Sequence, residues 1–159
     1  MKSVKFKVVF AGAALVGLMT SGSALAADNV TVTVNATIVG VCKFFPVAPI
    51  INITNTGTGS NIDPSSATSA VGSTAIVYRC SNGTAPTFTV PATATVTCGA
   101  CTGTPTMAPT ITSSNTGAGT GLGSGKDQTL TVTGTIAQAA FQNSLAGAYT
   151  GTMSVTVAP

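Results

Sequence analysis

Along residues 27–38, "ADNVTVTVNATI", apolar and polar positions alternate. Val30, Val32, Val34, Ala36 and Ile38 fall on one side of an extended chain, and Thr31, Thr33, Asn35 and Thr37 fall on the other. A period of two is the signature of a half-buried strand. No turn signal pairs this strand with a neighbour. It is therefore either the first strand of its own domain or a strand whose partner lies elsewhere.

The same alternation recurs downstream. "GVCKFF" (residues 40–45) continues extended, and "PVAPIINIT" (residues 46–54) is an apolar piece broken by prolines. Residues 55–72 are rich in turn formers and read as a long loop. "STAIVYRC" (residues 73–80) is a strand with Ile76, Tyr78 and Cys80 in phase, closed by the tight-turn signal "SNGT". "PTFTVPATATVTC" (residues 86–98) alternates but carries Pro91, which marks an edge strand or a bulge. "TPTMAPTIT" (residues 104–112) is a weak strand, and residues 113–127 read as a mobile, glycine-rich loop. "QTLTVTGTI" (residues 128–136) and "GAYTGTMSVTV" (residues 147–157) are the cleanest later strands, linked by a stretch suited to a short helical turn. About six strands follow the opening one, separated by turn signals, which predicts an all-β, antiparallel sandwich of immunoglobulin-like size.

Residues 1–26 stand apart. Lys2, Lys5 and Lys7 precede a short apolar run, and "SALA" (residues 23–26) supplies small residues for cleavage. This pattern predicts a secretory signal peptide and an exported protein, the apolar run being too short to span a bilayer. Removing it also removes the net charge of +3. Lys43, Arg79 and Lys126 then balance Asp28, Asp63 and Asp127. A neutral chain gives no reason to expect nucleic acid or anionic lipid as a partner, and little charge repels a second copy. The abundance of Thr, Val and Ile favours strands over helices. Low charge together with apolar alternation argues against disorder.

An even number of cysteines in an exported chain predicts disulfides. Cys42 shares the even-numbered phase of Val30 to Ile38, and Cys80 shares the inward phase of Ile76 and Tyr78, so the two are expected to pair. Cys98 and Cys101 remain, in "CGAC". A redox dithiol would need a helix after it, and "TGTPT" is a poor helix starter. A zinc site built from all four cysteines would lack the usual second CxxC knuckle. A small disulfide ring pinning a hairpin tip is the simplest of the three readings.

Catalytic chemistry is sparse. There is no His, the three carboxylates are all Asp, and they are scattered. No acid–base pair, nucleophile elbow or phosphate-cradling loop of the right spacing is present in the sequence, so neither an enzyme nor a cofactor or metal is expected. Sequons at Asn29, Asn35, Asn52 and Asn82 are what a chain rich in Asn and Thr produces by chance.

"VTVNATIVGVCKF" (residues 32–44), "YRCSNGTAPTFTV" (residues 78–90) and "VTGTIAQAAFQNSLAGAYTGTMSVTV" (residues 132–157) resemble the spore coat protein U domain family, which includes subunits of archaic, Csu-type chaperone–usher pili. Residues 93–127, with their "CGAC", depart from the family pattern. The resemblance implies an incomplete immunoglobulin-like sandwich that lacks its last strand, with a signal peptide at 1–26, a donor strand at 27–38 and a pilin domain at 39–159. It implies that Val30, Val32, Val34, Ala36 and Ile38 enter the open groove of an identical or homologous subunit. Tyr149, Met153, Val155 and Val157, on the strand bordering the open edge, would line that groove. It further implies a periplasmic chaperone and an outer-membrane usher as partners. The expected product is a cell-surface pilus that supports adhesion and biofilm. The competing expectation is a secreted or tip-located surface-binding protein that does not polymerise.

Overall fold

The computed structural model describes residues 30–45 and 48–159. The signal peptide, residues 27–29 of the opening strand, and Pro46 and Val47 lie outside the described residues. The chain divides into two units, Met1–Ala36 and Thr37–Pro159. In the first, residues 30–36 carry no helix or strand, and Val30 and Val34 are 87% and 86% exposed. The alternating pattern is thus present there without a ladder.

The second unit is almost entirely β. Its elements are β1 (Cys42–Phe44), β2 (Ala70–Cys80), β3 (Thr87–Thr89), β4 (Val96–Thr97), β5 (Thr106–Met107), β6 (Thr110–Asn115), β7 (Gln128–Ile136), the one-turn helix α1 (Gln138–Phe141) and β8 (Thr156–Ala158). A four-stranded antiparallel sheet has the order β1-β2-β7-β6, and β3-β8 and β4-β5 form two-stranded pairs.

Alternation builds the main sheet. In β7, Leu130, Val132 and Ile136 turn inward and are buried, while Thr129, Thr131, Thr133 and Thr135 are half-buried on the other face. Their β2 partners in register are Ile76, Thr74 and Ala70. The inner face carries one buried cluster of Ile76, Tyr78, Cys80, Ile111, Leu130 and Val132, against which Phe44, Ile51, Phe88, Ala94, Met153 and Val155 pack. A second cluster, Ala70, Met107, Ile136 and Phe141, lies at the other end of β2 and β7. Tyr78 is fully buried and meets Phe88 edge-on at 4.9 Å. Its hydroxyl donates to the Gly117 carbonyl at 2.7 Å, as a buried phenol requires. That bond ties the glycine-rich loop to the sheet.

Three expectations are revised. The strand expected over residues 86–98 is two strands, β3 and β4, on either side of Pro91, and they pair with different neighbours. Proline lacks the N–H that a continuous ladder needs. Residues 104–112 likewise divide into β5 and β6, separated by Ala108 and the buried Pro109. Strand β6 then runs on to Asn115, into residues read as loop. Finally, of residues 147–157 only Thr156 and Val157 belong to a continuous strand, with Thr150 in an isolated bridge to Thr97. Alternation reports which face a side chain takes; it does not supply a neighbouring strand.

Candidate functional site

Between the sheet and the segments packed on it runs an open groove. Its floor is the inner face of β2 and β6, with Thr74, Ile76 and Ile111. One wall is the stretch 50–53, with Ile50, Ile51 and Ile53, and the other is 151–155, with Met153 and Val155. Phe44 lies among the near-end lining. The cavity measures about 530 Å³. A second cavity of about 700 Å³ shares Ile50, Ile51, Ile53, Val96 and Gly151 with the first and reaches Met107, Ile136, Phe141, Leu145 and Tyr149. The two cavities thus share the 50–53 wall, and the second reaches the Ile136 end of β7.

Glycines set the groove's shape. Gly72 faces Gly134 across β2 and β7. A Cβ at Gly72 would stand 2.1 Å from the Asn52 carbonyl oxygen, and one at Gly134 would stand 3.1 Å from Ile53 Cδ1. The wall at 50–53 can therefore lie close on the sheet only because these positions lack side chains. Gly151 does the same on the opposite wall, where a Cβ would meet the Thr95 carbonyl oxygen at 2.1 Å.

Both walls have free backbone. Thr54 exchanges bonds with Val71, and Thr150 with Thr97. Yet among the described residues no main-chain hydrogen bond involves residues 48–53 or 151–155. Along 151–155, Met153 and Val155 point inward while Thr152 and Ser154 are exposed, so the segment is strand-like in pattern and lacks a ladder. Main-chain polar groups that lack partners are a standing template for another strand.

The walls and floor carry no carboxylate or amine, and Tyr149 is their one titratable side chain, its hydroxyl donating to the Leu145 carbonyl at 3.0 Å. Among the described residues no cluster of His, Cys, Asp or Glu could hold a metal ion. The charged groups lie elsewhere. Arg79 pairs with Asp127 and stacks over Phe45. Asp63 accepts from the Ser65 hydroxyl at 2.7 Å and from the Ser65 backbone N–H at 2.9 Å, and these bonds hold its carboxyl below the ordinary value of 3.8. The groove can thus bury apolar side chains and bond an extended backbone.

Met153 and Val155 line the first cavity and Tyr149 the second. Val157 lies outside both linings, in β8 opposite Phe88. Val30, Val32, Val34, Ala36 and Ile38 are exposed, Ile38 at 92%. Cys42–Cys80 and Cys98–Cys101 are both disulfides, as expected. No helix among the described residues is long and apolar enough to cross a membrane. The isoleucines of the 50–53 wall and the Gly72–Gly134 pair were not anticipated as site residues. The run Ile-Ile-x-Ile after two prolines was the available signal. Comparison with protein-family models, with curated proteins and with solved structures gives no match to this chain.

Proposed function

We propose that this chain is a structural subunit of a surface filament, assembled by donating residues 27–38 to the groove of the next copy. One observation carries the reading: an apolar groove lies between two backbone segments that lack main-chain partners, in a chain that also holds an exposed alternating segment. The resemblance to spore coat protein U domains points the same way. In this reading the fold is an immunoglobulin-like sandwich short of one strand.

The dimensions agree. Residues 30–38 and β7 (Gln128–Ile136) each span nine positions, so the incoming strand would run the length of the inner face. Burying Val30, Val32, Val34 and Ile38 contributes roughly 6–12 kcal/mol before ordering costs, and each main-chain bond adds about 1 kcal/mol. A slip of one residue would present Thr31, Thr33, Asn35 and Thr37 instead, so register is specified.

Direction follows from where the chain enters its own domain. Gly40 lies beside Thr84 and Pro159, at the Cys80 end of β2. The Phe141 end of the groove is at the other end of that strand. A donor running antiparallel to residues 151–155 would bring its Ile38 to the Phe141 end, leaving the acceptor's own Gly40 free at the opposite pole. Such a head-to-tail contact is heterologous and propagates into an open fibre. A chaperone and an usher would hold and deliver the subunit, and the assembled fibre would serve adhesion.

The test is deletion of residues 27–38 from the exported chain. The expected outcome is loss of heat-resistant polymers from surface-sheared material, while the shortened monomer still binds a synthetic peptide of those residues. Polymers that persist after the deletion would refute the proposal.

A further inference from the structure

We infer that the Cys98–Cys101 disulfide and Gly147 act together as a positioning device for the far wall of the groove, an inference that rests on the strand-accepting reading above. Residues 146–151 all line the far cavity. They belong to no continuous strand; Tyr149 packs on the Met107–Phe141 cluster and Gly151 lies against Thr95, and two further attachments fix the backbone. The first is the reciprocal pair between Thr97 and Thr150, at 2.8 and 3.1 Å, immediately before Cys98. The second is the disulfide itself. A Cβ at Gly147 would stand 2.5 Å from Cys101 Sγ and 2.6 Å from Cys98 Sγ, so both sulfurs lie against the Gly147 backbone. Cys101 Sγ also approaches the Ala146 carbonyl oxygen at 3.7 Å.

The ring is well seated to do this. Cys98 is fully buried, and its N–H donates to the Pro105 carbonyl at 3.0 Å. Thr104 N–H donates to the Cys101 carbonyl at 3.2 Å, with Gly103 and Thr104 both at positive φ. The β4–β5 hairpin thus ends in a covalently closed tip, and the wall of the groove rests on that tip. Bridging residues three apart constrains the unfolded chain far less than bridging residues 38 apart. The effect of this disulfide is therefore local. A wall fixed in advance loses less freedom when a strand binds, whereas a wall with two attachments opens readily once one is gone.

The experiment compares the full chain with C98A/C101A, G147A and the triple variant. It reads exchange of the Thr150 amide and of the β2 and β7 amides, and affinity for a peptide of residues 27–38. C98A/C101A and G147A are each expected to speed exchange of the Thr150 amide, which bonds the Thr97 carbonyl, by about tenfold and to weaken the peptide by about tenfold. Exchange in β2 and β7 should stay unchanged. With the sulfurs gone a methyl group at 147 has room, so the triple variant should lose no more than C98A/C101A. Unchanged exchange at Thr150, acceleration spread evenly over β2 and β7, or fully additive losses would each overturn the inference. If the unaltered chain fails to bind the peptide, the strand-accepting reading falls, and the exchange pattern still decides whether the disulfide positions this wall.

Discussion

Single positions decide whether the groove exists. At Gly72 the absence of a Cβ lets the Asn52 carbonyl lie against β2. The substitution Gly72→Ala is expected to destabilise the protein by at least about 2 kcal/mol in urea unfolding, because backbone must move. Gly123→Ala, where an added Cβ meets nothing within 4 Å, should stay within about 0.5 kcal/mol. Removing the Tyr78 hydroxyl, as in Tyr78→Phe, orphans the Gly117 carbonyl and should cost about 1–2 kcal/mol by the same measurement. Asp63 gives a pH signature. Its folded carboxyl titrates below 3.8 because Ser65 bonds favour the charged form. The linked stabilisation of the 63–65 turn is therefore fully present above that value and is lost as pH falls through the folded pKa. A carboxyl NMR titration should place the Asp63 midpoint below 3.8, and Ser65→Ala should raise it.

At the scale of elements, strands differ in how openly the sequence declares them. β2 and β7 were legible because Ile76, Tyr78 and Cys80, and Leu130, Val132 and Ile136, fall on the inward phase of a period-two pattern. Pro91 announced an interruption, Pro109 was read through as part of one strand, and nothing in the local pattern said that β3 would leave its neighbours for β8. The groove was half legible. Met153 and Val155 were named through the family resemblance, whereas the 50–53 wall depends on a long-range glycine pair that a linear reading does not connect. The Cys42–Cys80 pairing was legible because phase set both side chains inward. That bridge closes a separation of 38 residues. Its loss in C42S/C80S is expected to cost about 4 kcal/mol in the chain-entropy account, read as a lowered urea midpoint, well above the effect of removing Cys98–Cys101.

For the molecule as a whole, the proposed assembly turns on the alternation at its start. Replacing Val32 and Val34 together by Thr preserves strand propensity and removes two buried side chains from the interface. Polymer yield should fall at least about tenfold in sheared fractions, with monomer folding unchanged. One consequence concerns tension. A pull on residues 39–40 meets Val41, which is hydrogen-bonded to Ser81, and then Cys42, the first residue of the three-residue β1. Because Cys42 is covalently joined to Cys80, the load passes directly into the eleven-residue β2, which is held in the middle of the sheet by both β1 and β7. The weakest strand of the sheet is thereby spared from peeling, and traction is borne along the longest one.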